Sequence, residues 1–244
     1  MILLFRLIVV FIVGVIICVA GVIFCLFNPR NPKNVALFAH LFGRFLRPVC
    51  GIKVITREYQ DIKNRGSCVF IANHQNNYDI LVAADIVQPK TVTVGKKSLV
   101  WIPFFGQLYY LTGNILIDRD NKSKARDTIT QVVNEIKNRQ ISIWMFPEGT
   151  RSRGRGLLPF KTGAFKAAIA AGVPIVPICV SNTHDIRLNR WNNGYIIIEM
   201  LAPIETLNMN KDDARQLMAQ SYTLMSEKIT QLNQEVQALT QKRS

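Results

Sequence analysis

The sequence predicts an α/β protein, with a mostly parallel sheet flanked by helices and a membrane-anchoring helical segment at its N-terminus. Three observations predict it. Seven short apolar runs recur between residues 52 and 200. Helical patterns fall between several of them, the alternation expected of parallel strands joined by helical crossovers. A charge-free stretch, Leu7 to Phe27, precedes them all.

That stretch is 21 residues long, enough to cross a hydrocarbon core of about 30 Å. Arg6 precedes it, whereas Arg30, Lys33, Arg44 and Arg47 follow. The richer positive charge on the following side places the folded part on the cytoplasmic face of the membrane. A cleavable signal peptide would have a shorter apolar core, about 7–15 residues, and a small-residue cleavage site. No A-x-A sequence follows here, so the segment reads as an uncleaved anchor, either crossing the bilayer or re-entrant in one leaflet. Pro29 and Pro32 end it, since proline cannot continue a helix. Residues 34–48 form the next predicted helix, with Phe and Arg interleaved. Its composition suits either an interfacial helix or one packed on the core.

The predicted strands are Ile52–Thr56, Cys68–Ala72, Thr91–Val94, Ile115–Ile117, Ile141–Phe146, Ile175–Val180 and Tyr195–Met200. Helical patterns lie near 79–87, 122–138 and 160–171. The runs are apolar almost throughout, as in strands covered on both faces. Pro174 and Pro177 mark Val173–Ile178 as an edge strand or a shaped wall. From Lys211 the tail reads as a helix, with Asn210 as N-cap and Asp213 in the first turn. Met225, Ile229, Leu232, Val236 and Leu239 form its stripe, expected to dock on the domain. The chain thus divides into a membrane anchor with an interfacial helix (1–48) and a folded domain with a C-terminal helix (49–244).

Charge and cysteine usage narrow the chemistry. Thirty Lys and Arg against sixteen Asp and Glu give +14 in 244 residues. That balance favours anionic partners: phospholipid headgroups, phosphorylated substrates or nucleic acid. The five cysteines show no C-x-x-C and no Cys/His ligand spacing, so neither a zinc site nor a disulfide framework is expected. A nucleotide P-loop is a poor match. Gly149 and Gly154 have its glycine spacing, but Arg155-Gly156 stands where Lys-Ser/Thr is required.

The polar islands carry the function. In Asn73-His74-Gln75-Asn76-Asn77-Tyr78-Asp79 an imidazole has a carboxylate five residues on. On one straight helix five residues turn about 500°, leaving the two side chains roughly 140° apart. They meet only if His74 ends a strand and Asp79 opens the next helix, which the asparagine-rich turn between them allows. Asp79 on one ring nitrogen would leave the other free to accept a proton. His40 and His184 lack such a neighbour and read as structural. In Phe146-Pro147-Glu148-Gly149-Thr150-Arg151, the glycine permits a tight turn or close approach to a ligand. Arg151, Arg153, Arg155 and Lys161 follow closely, and the guanidinium fork suits phosphate. A solvated basic loop is the plainer alternative. Lys97 opens a patch running to Trp101, Phe104 and Phe105, which either faces acyl chains or is the buried face of a helix. Gly113–Arg119 ends in another cation.

Taken together, these islands resemble the membrane-bound glycerolipid acyltransferases. Asn73–Asp79 matches their H-x-x-x-x-D motif, and Lys97–Gly106 with Gly113–Arg119 matches the second block. Phe146–Ser152 matches the FPEGTRS block and Val173–Ile178 the VPIVP block. The resemblance covers about residues 50–205, plus a hydrophobic N-terminus of the expected type. Ser98 departs from it, standing where many members carry an acidic residue. The resemblance implies transfer of an acyl chain from acyl-CoA or acyl carrier protein to the 2-hydroxyl of lysophosphatidic acid, giving phosphatidic acid for phospholipid synthesis. His74 would be the general base and Asp79 its orienting partner. Lys97, Arg119, Glu148, Gly149, Thr150 and Arg151 would hold the substrate. No cofactor, metal or nucleic acid is implied; the partners are the bilayer, a membrane lipid and the acyl donor, at the inner, cytoplasmic membrane of a bacterium. G-x-S-x-G is absent, so transfer is expected without an acyl-enzyme. Glycerol-3-phosphate or another lysophospholipid as acceptor, and thioester or phospholipid hydrolysis, are the alternatives.

Overall fold

The computed structural model describes residues 1–117 and 125–241. The chain runs α1 (Ile2–Leu26), α2 (Lys33–Cys50), β1 (Lys53–Arg57), β2 (Val69–Ala72), α3 (Asp79–Val82), β3 (Thr91–Lys96), α4 (Phe105–Leu111) and β4 (Ile115–Ile117). It continues α5 (Ala125–Arg139), β5 (Ser142–Met145), α6 (Gly163–Ala171), β6 (Ile175–Val180), β7 (Tyr195–Met200) and α7 (Ala214–Gln241). The strands form one sheet in the order β1-β7-β6-β2-β5-β3-β4. The segment β6-β2-β5-β3-β4 is parallel; β7 is antiparallel to β6, and β1 runs with β7.

Both faces of the sheet are covered, which explains the continuous apolar runs. Along β2, Phe70 and Ala72 join the core beneath α1–α4, whereas Val69 and Ile71 join the core beneath α5–α7. The period of two sends neighbours to opposite faces. On the second face Phe165 of α6, Ile136 of α5 and Met225 and Leu232 of α7 are essentially inaccessible. Burying each such side chain stabilises the fold by about 1.5–3 kcal/mol. The predicted α7 stripe therefore docks. Its start carries a reciprocal cap, with Asp212 N donating to Asn210 Oδ1 (2.8 Å) and Asn210 N to Asp213 Oδ2 (2.7 Å). Arg57 of β1 bridges Glu199 of β7 and Glu235 of α7, at 3.1 and 2.6 Å.

The structure excludes one of the two alternatives at two places. β6 is not an edge strand; it lies between β7 and β2. Pro177 is tolerated because the position it faces is at the margin of β7. Leu201 N, just past that strand, donates to Pro177 O at 2.9 Å, and proline returns no bond. Nor is Trp101–Phe105 a buried helix. Residues 97–101 form a 3₁₀ turn and the α-helix begins at Phe105. Trp101 is 82% exposed, and only Phe105 turns inward, edge-on to Phe42 of α2 at 6.5 Å.

α1 is apolar and long enough to cross a membrane. Yet both its ends are tied to the domain. At one end Arg6 is buried and donates to the carbonyls of Leu188 (3.1 Å), Trp191 (2.8 Å) and Arg190. Just past the other end, Arg30 N donates to Leu111 O of α4 at 2.6 Å. Between them α1 packs closely, and a Cβ on Gly21 would meet Leu108 and Phe38, each at 2.7 Å. The core is continuous from Ile17 and Cys18 through Phe38 and Phe42 into Phe70 and Val176 of the sheet. One side of α1 faces that core; the other presents Phe5, Phe11, Ile16 and Ile23, all more than half exposed.

Candidate active site

β2 and β5 are neighbours in the sheet, so the turns leaving their C-terminal ends lie side by side. That adjacency, not sequence proximity, brings Asn73–Asp79 and Phe146–Arg151 together. His74 follows β2 by two residues and Asp79 opens α3. The imidazole Nδ1 meets Asp79 Oδ2 at 2.6 Å. The same carboxylate accepts the backbone N–H of Gln75 (2.8 Å) and of Asn76 (3.2 Å). Asp79 thus closes the turn and orients the ring in one motion. An ionised carboxylate accepts only, so Nδ1 carries the proton and donates. Nε2 is left with its lone pair. Phe146 stacks on the imidazole face with centroids 4.0 Å apart and planes 16° apart, and the His74 side chain keeps 18% of its surface exposed.

The turn is also sewn to the end of β6. Asn73 Nδ2 donates to Val180 O and its Oδ1 accepts from Val180 N, both at 2.9 Å. Gln75 Nε2 donates to Ser181 O at 2.8 Å, and its Oε1 accepts from Thr183 N at 2.9 Å. Asn76 Nδ2 reaches Thr183 Oγ1 at 2.8 Å, while its own oxygen accepts Tyr78 N at 2.9 Å. The sequence marked the asparagines as turn formers. It did not show that Asn73 and Gln75, both buried, pair with a strand more than a hundred residues away. Their amides flanking the histidine were the available signal.

The loop after β5 clamps His74 from the other side. Glu148 is buried, and its Oε1 accepts the backbone N–H of His74 at 2.6 Å. Its Oε2 accepts Leu158 N at 2.9 Å. Both oxygens are therefore occupied by backbone donors, and Glu148 does not reach into open space. Burial raises its pKa above the ordinary glutamate value, and the two N–H donors offset only part of that rise. Ser152 N donates to His74 O at 2.8 Å, and Arg153 N to Gln75 O at 3.0 Å. Gly149 takes φ +71° in the turn, under the Lys161 ammonium, which would lie 2.8 Å from a Cβ placed there. Thr150 and Arg151 stand exposed at the tip of this clamped loop, with Arg151 adjacent to the buried Ser152.

Lys97 sits elsewhere along the same sheet edge. It is exposed at the start of the 3₁₀ turn after β3. It lines a cavity of about 490 Å³ with Val100, Tyr110, Leu116 and Gln131. None of the described lining residues belongs to the His74 or Glu148 loops. Arg119 lies outside the described residues. His184 meets its neighbour in sequence, Asp185, at 3.2 Å, and both are well exposed. Burial pushes the thiol of Cys68 up to about 11 and that of Cys179 to about 12. Neither is a thiolate nucleophile at neutral pH. Among the described residues no group of His, Cys, Asp and Glu is arranged to hold a metal ion.

The arrangement is an imidazole bonded through one nitrogen to a carboxylate and held on both backbone sides, with the exposed Arg151 one residue before the Ser152 that bonds to it. Comparison with known proteins gives the family. An acyltransferase family model matches residues 53–181. The chain is 63% identical to the 1-acyl-sn-glycerol-3-phosphate acyltransferase of Salmonella typhimurium over 237 residues, covering 97% of this chain and 96% of that one. It is 61% identical to the enzyme of that name from Escherichia coli, with the same coverage. The human alpha form is 31% identical over 78% of this chain and 68% of its own length. In fold it is similar to the crystal structure of the 1-acyl-sn-glycerophosphate acyltransferase of Thermotoga maritima, with a TM-score of 0.75 at 22% identity over 95% of both chains.

Proposed function

This chain belongs to the acyltransferase family, and from that premise we propose that it acylates the 2-hydroxyl of 1-acyl-sn-glycerol-3-phosphate, making phosphatidic acid. The observation that carries the mechanism is the 2.6 Å contact between His74 Nδ1 and Asp79. Nε2 of His74 takes the proton of the acceptor hydroxyl as that oxygen attacks the thioester carbonyl. The new C–O ester bond forms, the C–S bond breaks, and the proton passes from Nε2 to the departing thiolate. Asp79 holds the imidazole in the needed tautomer and stabilises its charged form. Base catalysis of this kind is worth about 10²–10⁴ in rate. Arg151, at the tip of the loop bonded to His74 O, holds the acceptor phosphate, and the match of Lys97 to the second motif block is what supports a second cation there. The alignment of Arg119 with the second motif block assigns it to the same anion. Glu148 and Gly149 shape the loop, Glu148 by fixing the His74 backbone. Acyl-CoA and acyl carrier protein both remain donors, since the +14 charge suits either anion.

The same reading assigns residues 1–48 to membrane attachment and 49–244 to catalysis. A 25-residue helix is about 37 Å long. Because Arg6 and Arg30 are both bonded to the one domain, α1 lies along it, with its exposed apolar side buried in one leaflet. The domain then stays on the cytoplasmic face of a bacterial inner membrane.

The test is acyl transfer from a radiolabelled acyl-CoA, and in parallel from acyl carrier protein, in detergent micelles. Acceptors are lysophosphatidic acid, glycerol-3-phosphate, or none. Labelled phosphatidic acid is expected with the first alone, and at least about 10²-fold less of it with His74→Ala. Label released as free fatty acid without acceptor would instead make the protein a hydrolase.

A further inference from the structure

We propose that the turn Trp101–Phe104 is a second membrane-inserting element, seating the rim of the Lys97 cavity in an anionic bilayer. This rests on the reading above that the acceptor is a membrane lipid. Trp101, Ile102 and Phe104 are 82%, 44% and 45% exposed within four consecutive positions. Three adjacent apolar side chains facing water are uncommon on a soluble surface. The fold imposes their exposure. Ile102 N donates to Leu99 O (3.1 Å), Phe105 N to Pro103 O (2.7 Å) and Gly106 N to Ile102 O (2.8 Å). The Gly106 backbone abuts the carbonyls of Leu99 and Val100 so closely that a Cβ would not fit. Phe104 takes φ +64° and ψ −52°, closing a strained γ-turn. A stiff turn with a strained residue at its tip cannot fold these rings inward.

The surroundings select a bilayer as the occupant. The turn leads into α4, whose Leu108 packs against Gly21 of α1, so the turn and the exposed side of α1 belong to one rigid body. Tyr110 of α4 is 43% exposed and stacks under the Arg30 guanidinium at 5.3 Å. Trp and Tyr flanked by Lys97 and Arg30 is the composition of a membrane–water interface. An interface between two copies would be depleted in lysine. Val100 and Tyr110 line the same cavity as Lys97, so seating the turn brings that cavity to headgroup level, where a lysolipid phosphate lies.

Trp144 is buried and Trp191 exposed, so the full chain with Trp191→Phe reports Trp101 by fluorescence. It would be reconstituted into phosphatidylcholine vesicles with about one-fifth phosphatidylglycerol, with or without bromine on the acyl chains near the headgroup. A blue shift and about twofold quenching by the brominated lipid are expected, both lost when Trp101→Phe is added. Trp101→Asp should slow acylation of vesicle-embedded acceptor by at least about fivefold and leave a short-chain, monomeric acceptor unaffected. Protein that co-floats with vesicles while Trp101 stays unquenched would overturn the turn's role alone. Protein that does not co-float would overturn the membrane reading with it. Shielding of Trp101 only at densities where two copies cross-link would make the occupant a second copy, which also overturns the proposal.

Discussion

The backbone N–H of His74 donates to Oε1 of Glu148 at 2.6 Å, although the two residues are 74 positions apart. The glutamate's other oxygen takes Leu158 N. A carboxylate is suited to this because it presents acceptors only. In Glu148→Gln, one backbone donor would face the new amide N–H₂. A loss of about 1–3 kcal/mol is expected, read as a lower Tm together with a lower kcat.

The same pair has a pH signature. Burial raises the folded pKa of Glu148 above its unfolded value near 4.5. The folded state therefore holds the proton more tightly, and the associated stability is present below 4.5 and lost as pH rises through the raised value. The Tm of the unaltered protein minus that of Glu148→Gln should fall across that window and level off above it. A difference that rises with pH there would show that the N–H donors outweigh burial.

Asp79→Asn should be costlier to catalysis than to binding. The carboxylate serves His74 Nδ1, Gln75 N and Asn76 N together, and an amide would leave one donor facing a donor and free the ring to adopt the wrong tautomer. A fall of about 10²–10⁴ in kcat is expected, with KM changed much less. An equal loss in KM would assign Asp79 to substrate binding.

Asn73→Ala tests whether the β6 tie holds the histidine in place. It removes both bonds to Val180 and leaves buried backbone groups short of partners. About 2 kcal/mol of stability should be lost. Activity should fall even well below the new Tm, since the residue beside His74 is freed.

The lie of α1 can be read by labelling. With the buried native cysteines replaced by serine, single cysteines at Leu3 and Asn28 should react with an impermeant thiol reagent from the same side of sealed vesicles. A spanning α1 would put them on opposite sides.

Much of this protein is legible in its residues. Strands covered on both faces must be apolar throughout, so β2, β5 and β6 announce themselves. His74 and Asp79 stand out because a short polar turn between an apolar strand and a helix is the one way five residues of separation can close. The apolar helix α1 is visible as an uncharged run. Tertiary structure alone decided the rest. Which strands are neighbours sets Glu148 beside His74. Asn73, Gln75, Ser152 and Arg6 act on backbone N–H and C=O groups, which every residue carries, so no pattern of side chains reveals the partner. The placement of Trp101 outward and Phe105 inward follows from a strained γ-turn at Phe104. Local chemistry sets which elements form; long-range hydrogen bonds and packing set what each one touches.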